Sequence, residues 1–248
     1  MKILVCISSV PDTTAKINFT ADKSAFDKNG IQWVINPLDE FALTKAIKLQ
    51  ETQGATVTVI NVGDATTEPV VRKALAIGAN DAVRVNVEPK DSFSAAKEIA
   101  KIAQEGGYDL IIAGKESIDY NGGAVPGMVA QLLNQPFVNA CVGLEVSGSE
   151  ATAVREIEGG KETISVKLPA VIAGQKGMVE EKDLIIPNMR GIMSARTKPL
   201  QVVEPSSTEV KVEAISFDSV PARAAVKLVS PDNLDELVRL LHEEAKVI

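Results

Sequence analysis

The sequence has very little histidine and cysteine. Its 248 residues include one histidine, His242, so a histidine-based triad or a multi-histidine metal site would need a second chain. We therefore predict no metal site. The two cysteines, Cys6 and Cys141, are too few for a disulfide framework. Such sparse cysteine is typical of a reducing compartment, which predicts a cytoplasmic protein.

Long apolar runs and basic blocks are also missing. No apolar run approaches the ~18 residues of a membrane-spanning helix, so we expect no membrane insertion. The first run, MKILVCI, is too short for the apolar core of a secretory signal and reads better as a strand. The formal charge of −7 argues against nucleic acid as a partner. A content of 45% hydrophobic and 24% charged residues is typical of a globular protein and argues against disorder or a coiled coil.

Residues 1–140 alternate short apolar runs with helical patterns. This alternation predicts an α/β fold with a mostly parallel sheet and right-handed crossovers. One helix start is clear, because Asn36 can cap it, Pro37 suits its first position, and Asp39 and Glu40 favour its positive end. The predicted strands are residues 2–7, 56–62, 82–87 and 109–113, and the predicted helices are residues 37–53, 68–77, 91–104 and 123–133.

After residue 140 the pattern changes. Short stretches alternate apolar and polar residues as half-buried strands do, and two of them flank a Gly159-Gly160 turn. Residues 174–205 show little periodicity, which predicts an irregular segment that is functional or rests on a partner. The other predicted elements are strands at 143–147, 151–157, 162–168 and 169–173, an extended arm at 208–225, and a final helix that starts at Ser230.

The loop after the fourth predicted strand is the first candidate site. Residues 113–127 (AGKESIDYNGGAVPG) run from the carboxyl end of a strand into a helix N-terminus, where free backbone N–H groups favour a phosphate. Gly122 and Gly123 let the backbone approach an anion closely. The loop matches neither the Rossmann nor the Walker pattern, and an ordinary strand-to-helix loop is the alternative interpretation.

Other strand ends fall on the same edge of the predicted sheet. Residues 6–9, 36–39 and 62–64 would join the Gly122 loop there and line an adenosine pocket. Taken singly, residues 36–39 are also explained as a plain helix start and residues 62–64 as a plain turn. Their common position at one edge is what favours a nucleotide.

Two segments outside that edge are also candidates. Residues 185–193 (IIPNMRGIM) place apolar side chains beside Arg190 on an irregular loop, which predicts a docking patch unless the loop packs on its own core. Residues 155–162 (REIEGGKE) carry several carboxylates around a turn. A solvated hairpin explains them better than an acid–base site does.

Several short motifs occur in the order found in one protein family. The most specific is residues 153–164 (AVREIEGGKETI), followed after four residues by PAVIA at 169–173. On these residues the chain resembles the beta subunit of electron transfer flavoprotein over nearly its full length. Supporting matches are VPDT at 10–13, Asn36-Pro37 with Asp39-Glu40, ALAIGA at 74–79, Gly114-Lys115 with Ile118-Asp119, GIM at 191–193 followed by Ala195, and the segment 226–241.

The resemblance implies an electron carrier rather than an enzyme. Family members pair with an alpha subunit, which holds most of the electron-transferring FAD while beta covers part of it. The heterodimer carries electrons from acyl-CoA dehydrogenases and related donors, as in fatty acid beta-oxidation, to a membrane quinone reductase. The resemblance thus implies a nucleotide-binding domain at 1–185, a partner recognition loop at 186–205, and a C-terminal arm and helix at 206–248 that pack on the alpha subunit.

The family's beta chain also holds a nucleotide, which is AMP in most members and a second FAD in the electron-bifurcating members. The AMP type usually has Asn-Gln-Thr where Gly123-Ala124-Val125 stand here, and the bifurcating motif is not matched either. Residues 10–13 favour the bifurcating type and residues 158–162 the AMP type. We expect AMP, with FAD as the alternative. The implied pocket is Cys6, Asn36, Pro37, Leu38, Asp39, Val62, Gly114, Asp119, Gly122, Gly123, Ala124 and Val125.

The family's recognition loop inserts one apolar side chain into a dehydrogenase pocket. The resemblance implies Met189 for this role, with Arg190 in the same patch and Glu156 as an electrostatic contact. Ile186 is the alternative if the alignment gap lies three residues away. Two interpretations from other classes stay open: an adenine-nucleotide-binding enzyme or sensor of similar sheet architecture, and an interaction module that binds no ligand.

Overall fold

The computed structural model describes residues 1–223 and 225–248, and these fall into two units. The first unit is Met1–Ile17 with Lys28–Ile215, and the second is Asn18–Asp27 with Ser216–Ile248. Ala224, which belongs to the predicted arm, lies outside the described residues. Among the described residues no helix combines the length and apolar character that crossing a bilayer requires.

The first unit carries all eleven strands and five of the six α-helices found among the described residues. The strands are β1 (Lys2–Cys6), β2 (Ser9–Pro11), β3 (Trp33–Ile35), β4 (Thr56–Val62), β5 (Asp81–Val85), β6 (Leu110–Gly114), β7 (Phe137–Ser147), β8 (Glu150–Ile157), β9 (Gly160–Lys167), β10 (Ala170–Gly174) and β11 (Leu200–Val203). The helices are α1 (Pro37–Gln53), α2 (Glu68–Ile77), α3 (Ser92–Gly106), α4 (Val125–Leu133) and α5 (Met189–Ala195), with short 3₁₀ turns at Ala65–Thr67 and Glu181–Asp183. In the second unit, α6 (Leu234–Arg239) continues into a π-helical turn at Leu240–Ala245.

Nine strands form one sheet, in the order β11-β5-β4-β1-β6-β10-β7-β8-β9. All pairs from β11 to β7 are parallel, while β7–β8 and β8–β9 are antiparallel. The predicted α/β fold with a mostly parallel sheet is confirmed, and the arrangement of its strands and helices is Rossmann-like. Because β1 lies between β4 and β6, the chain moves outward in both directions from β1, and ligands bind beside such a switch point in open α/β sheets.

The central strand β1 is buried on both faces. Ile3 and Val5 belong to the apolar cluster that contains α1 and α2 side chains, whereas Leu4 and Cys6 belong to the cluster of α3 and α4. Alternate residues of a strand point to opposite faces, so this assignment puts two helices on each side of the sheet. The run of apolar residues in β1 is therefore explained by burial on both faces.

The β8–β9 hairpin has the predicted turn. Its register pairs Ile157 with Gly160, which leaves Glu158 and Gly159 as the two turn residues, and Gly159 has a φ of 81° that favours glycine. Arg155 and Glu162 form an ion pair at 2.6 Å with both side chains partly exposed. These carboxylates thus lie on a solvated hairpin.

Three predictions of secondary structure were wrong. Residues 174–205 are not irregular, because α5 and β11 lie there and β11 extends the sheet beside β5. Strand β7 begins at Phe137, six residues before the predicted start at residue 143. A bulge in which Ala140 has a φ of 53° interrupts the alternation of apolar and polar residues there. The last helix begins at Leu234 rather than near Ser230, because Asn233 is its cap and accepts a hydrogen bond from the Glu236 N–H.

Candidate functional site

The carboxyl ends of β1, β4 and β6 meet at one edge of the sheet. Cys6 pairs with Ile60, and Val5 pairs with Ile112, so these strands end side by side. The predicted grouping of these ends is therefore correct. Asn36 reaches the edge by another route, since it follows β3 of the separate β2–β3 ribbon, and its N–H donates to the Ser8 carbonyl at 3.0 Å.

Asp39 lies in the first turn of α1, where it is 3% exposed. The Ser8 N–H donates to its Oδ2 at 2.7 Å, and the Gly114 N–H donates to its Oδ1 at 2.8 Å. Burial raises the pKa of Asp39 to about 7, although these hydrogen bonds oppose the rise. One carboxylate thus joins α1 to the residues that follow β1 and to the last residue of β6.

Asn36 precedes α1 and is fully buried. Its Nδ2 donates to the Glu116 carbonyl at 2.9 Å, and its Oδ1 accepts from the Ile118 N–H at 3.2 Å. Asn36 is the cap residue of α1, as predicted, but its side chain makes no hydrogen bond to a backbone N–H of the first turn. The side chain instead forms its hydrogen bonds with peptide groups of the loop after β6.

Gly114, the last residue of β6, packs against Asn36 and Asp39. A Cβ at that position would lie 2.4 Å from Asp39 Oδ1 and 2.9 Å from the Leu38 Cβ. Any side chain would therefore displace the start of α1. Pro37 occupies the first position of the helix, as predicted, and so brings Leu38 and Asp39 against the loop.

The rest of the loop is built from residues with unusual backbone angles. Asn121 and Gly123 have φ values of 49° and 58°. The Asn121 N–H donates to the Ser117 carbonyl at 2.9 Å, which closes a turn just before Gly122. A Cβ on Gly122 would lie 3.8 Å from Ser92 Oγ, so the start of α3 stands next to the paired glycines.

Helix α4 begins directly after these glycines without a side-chain cap. Its cap residue is Ala124, which has no acceptor, whereas Asp91 caps α3 by accepting from the Ser94 N–H at 2.7 Å. The N–H groups of Val125 and Gly127 thus have no partner from a capping side chain, an arrangement that suits an anion, while Pro126 between them has no N–H. Two carboxylates also lie in the loop. Asp119 accepts from the Tyr120 N–H at 2.8 Å, and Glu116 Oε2 lies 3.9 Å from where a Cβ of Gly123 would stand.

Apolar side chains form a wall at the same edge of the sheet. Cys6 belongs to the cluster on the α3 and α4 side of the sheet, and Val62 and Val125 pack against that same cluster. Burial and the neighbouring Asp39 raise the pKa of the Cys6 thiol above its ordinary value. The thiol is therefore neutral and acts as a small apolar group rather than a nucleophile.

Known proteins match this chain along most of its length. Residues 24–208 match a family model described as "Electron transfer flavoprotein domain". The beta subunit of electron transfer flavoprotein from Bacillus subtilis is 34% identical over 262 residues, which cover all of both chains. The chain belongs to the electron transfer flavoprotein beta subunit family. The beta subunit from Syntrophomonas wolfei is 36% identical over 91% of this chain and 88% of its own, and the human one is 29% identical over 100% and 99%.

Electron transfer is accordingly the role of the family to which the chain belongs. The predicted docking loop of this electron transfer flavoprotein chain is folded rather than irregular. Met189 begins α5, and Asn188 caps that helix by accepting from the Gly191 N–H at 2.8 Å. Arg72 on α2 donates to the carbonyls of Ala195 and Lys198 at 2.9 and 3.0 Å. The backbone of this segment is thus held against α2.

Apolar side chains of the same segment still point to solvent. Ile186, Met189 and Met193 are 85%, 74% and 66% exposed. Arg190 lies beside them and lines a shallow cavity of about 420 Å³ between α5 and the end of α2. Glu156 accepts a hydrogen bond from the side chain of Gln175, which lies in the segment after β10. The structure therefore brings Ile186, Met189 and Arg190 together and places Glu156 on β8.

The beginning of the predicted arm is tied to α3, a feature that the sequence patterns did not reveal. Glu98 is 3% exposed, and it accepts from the Ser206 N–H and hydroxyl and from the Ser207 N–H at 2.9–3.0 Å. Asp91 Oδ2 accepts from the N–H groups of Lys211 and Val212 at 2.7 and 3.0 Å. Two carboxylates on one helix thus hold residues 206–212 by their backbone. The Asp91–Ser94 capping pair marks only the start of α3.

Proposed function

We propose that this chain is the beta subunit of a heterodimeric electron transfer flavoprotein and holds one AMP at the carboxyl edge of its sheet. An alpha subunit would contribute most of the FAD environment, and this chain would cover part of the flavin. The pair would carry electrons from acyl-CoA dehydrogenase-type donors, in fatty acid oxidation, to a quinone reductase. The beta-subunit names of the relatives support this pairing.

The uncapped start of α4 is the observation that carries the adenylate proposal. Ala124 provides no acceptor, and Gly122 and Gly123 leave the backbone open, so the N–H groups there suit a phosphate. The apolar surface of Cys6, Val62 and Val125 supplies a wall for the adenine base. The proposed phosphate site after β6 and the proposed base wall at the ends of β1 and β4 would share one edge of the sheet.

The proposed role of the adenylate is structural. A ligand that binds only the folded chain stabilises it by mass action, without entering the electron path. Backbone N–H groups would hold the phosphate with no lysine or arginine ligand in the loop other than Lys115. Glu116 lies next to Gly123 and adds a negative charge there, which disfavours the larger negative charge of longer phosphate chains more than that of a monophosphate.

A charge placed at the start of α4 tests this proposal. We expect the Ala124→Asp variant of the heterodimer to lose its AMP, because the new carboxylate takes the free N–H groups and repels phosphate. The matched control is Ala124→Asn, which has nearly the same shape without the charge and should retain more AMP. Nucleotide content after denaturing extraction is the measurement. Equal AMP in both variants would contradict the proposed site, and FAD in place of AMP would assign the bifurcating alternative.

Donor docking is proposed for the apolar surface of Ile186, Met189 and Met193. Met189 is the proposed anchor, with Ile186 as the second insertion, since both side chains are exposed while their backbone is held against α2. A flexible thioether suits a surface that meets several partners. For residues 206–248 we propose contact with the alpha subunit, because apolar side chains such as Ile215 and Leu228 are 92% and 89% exposed in this chain.

A further inference from the structure

Residues 18–27 form a tight hairpin that belongs to the second unit, together with residues 216–248. We infer that this hairpin is a positioning element for assembly: it holds the arm at Phe217 and Asp218 and so sets the course of the apolar residues that follow. The inference rests on the proposed contact of residues 206–248 with the alpha subunit. It gives a task to a segment that the sequence patterns left unassigned.

The hairpin is closed by its own hydrogen bonds. At its base the Asp27 N–H donates to the Asn18 carbonyl at 2.9 Å. At its tip Asp22 Oδ1 accepts from the Thr20 hydroxyl at 2.6 Å and from the Ser24 N–H at 3.1 Å. The hairpin therefore has a defined shape of its own and can support another segment.

Three contacts of different kinds join the hairpin to the arm. The rings of Phe19 and Phe217 are stacked, with centroids 5.3 Å apart and an interplanar angle of 21°. The Phe217 N–H donates to the Lys23 carbonyl at 2.9 Å, and Lys23 Nζ pairs with Asp218 Oδ1 at 2.5 Å. Ring, backbone and charge together fix both the position and the direction of the chain at residues 217 and 218.

The aromatic stack contributes most to this hold. Phe19 and Phe217 are both partly buried, and an aromatic pair stabilises a contact beyond the area that it buries. The side chains of Lys23 and Asp218 are 61% and 69% exposed, so water screens their attraction and the pair contributes little. Phe19 is therefore the residue through which the hairpin acts on the arm.

The residues beyond this contact have apolar side chains in solvent. Val220, Val226 and Leu228 are 90%, 82% and 89% exposed. Apolar surface of this kind favours a protein partner, and the subunit names of the relatives make the alpha subunit the occupant that we propose. A segment that is already held at one end loses less conformational freedom when it binds. The hairpin thus raises the affinity for the alpha subunit without having to touch it.

Competition for a limiting amount of alpha subunit measures this effect. The alpha subunit is co-expressed with tagged wild-type beta and an untagged full-length variant, and the share of each beta chain in the complex is normalised to its total amount by mass spectrometry. We expect Phe19→Ala and Phe217→Ala each to be captured about tenfold less than the wild type. The double variant should lose no more than either single one, because both changes break the same contact.

Phe137→Ala is the matched control. It removes the same kind of side chain, 37% exposed, from β7 of the first unit and should compete like the wild type. Phe217→Tyr keeps the ring and should also compete like the wild type. The AMP content of every heterodimer should remain unchanged, since Phe19 and Phe217 lie outside the first unit.

Two results would overturn the inference and leave the proposed function intact. One is undiminished capture of Phe19→Ala. The other is a double variant that combines the full losses of both single variants, because Phe217 would then contact the alpha subunit itself. Leu228→Glu tests the proposed arm contact separately, by placing a charge where the alpha subunit is proposed to cover the chain. Wild-type capture of Leu228→Glu would contradict that contact, and with it the function on which the inference rests.

Discussion

Gly114 and Asp39 lie in such close contact that a Cβ on the glycine would stand 2.4 Å from the carboxylate Oδ1. The Gly114 N–H donates to that same oxygen at 2.8 Å. The end of β6 and the start of α1 are thus joined by a contact that only glycine permits. The loop at the candidate site begins directly after this contact.

Gly114→Ala should therefore destabilise the chain and reduce its AMP content. Overpacking at such a contact costs about 1–3 kcal/mol, because α1 or the strand has to shift. Urea unfolding of the heterodimer measures the loss. Gly160→Ala is the control, since no atom lies within 4 Å of its added Cβ. A Gly114→Ala variant as stable as Gly160→Ala would contradict the close contact.

Asp39 should make stability depend on pH. Burial raises its pKa to about 7 in the folded chain, against about 3.9 in an unfolded one. Since the folded state binds this proton more tightly, the protonated side chain stabilises the fold fully below about pH 4, and this contribution is lost as the pH rises through about 7. Urea midpoints between pH 4 and 8 should fall with pH in the wild type.

The difference between variants isolates this effect from other titrating groups. Asp39→Asn should flatten the pH dependence, whereas Glu40→Gln should keep the wild-type slope because Glu40 pairs with Lys73 outside the buried site. The neighbouring Cys6 thiol stays neutral throughout this range, since its pKa is raised. Identical slopes in the wild type and Asp39→Asn would show that this carboxylate does not titrate there.

Glu98→Ala should release the beginning of the arm from α3. Removing this buried carboxylate leaves the N–H groups of Ser206 and Ser207 without their acceptor, at a cost of about 1–3 kcal/mol. We expect faster proteolysis at Lys211, measured by mass spectrometry of timed digests. Glu105→Ala, on an exposed position of the same helix, is the control. Equal cleavage rates in the two variants would argue against the Glu98 contact.

Met189→Ala should slow electron transfer from a donor dehydrogenase. Loss of an apolar anchor in an interface typically costs more than 1 kcal/mol, so we expect about a tenfold lower rate at limiting concentration. Flavin content and heterodimer formation should not change. The rate of Ile186→Ala tests the alternative anchor, Ile186. Leu132→Ala is the control, because it removes a similarly apolar, 45% exposed side chain outside the proposed docking surface. If Met189→Ala behaves like Leu132→Ala, Met189 is not the anchor.

The parallel half of the fold was predictable because its elements are long and locally consistent. β4 and α2 have the predicted bounds, since continuous apolar runs and glycine or proline boundaries mark them directly. The short elements α5 and β11 were missed. Their stability comes from tertiary contacts, such as Arg72 on the Ala195 carbonyl and Lys198 on the end of α2, which no local pattern contains.

The candidate site was predictable in place but not in detail. Common strand ends located the pocket, because parallel strands carry their carboxyl ends to one edge. The sequence suggested that Asn36 caps α1, whereas its amide bridges Glu116 and Ile118. That partnership depends on residues about eighty positions apart, which only the folded chain brings together.

The nucleotide content of the purified heterodimer tests the central claim most directly. The complex is denatured, and the released cofactors are separated and weighed by mass spectrometry. We expect about one AMP and about one FAD per heterodimer, because a ligand bound only by the folded state is retained through purification when its affinity is high. A complex that releases no adenylate, or two flavins and no AMP, would contradict the account.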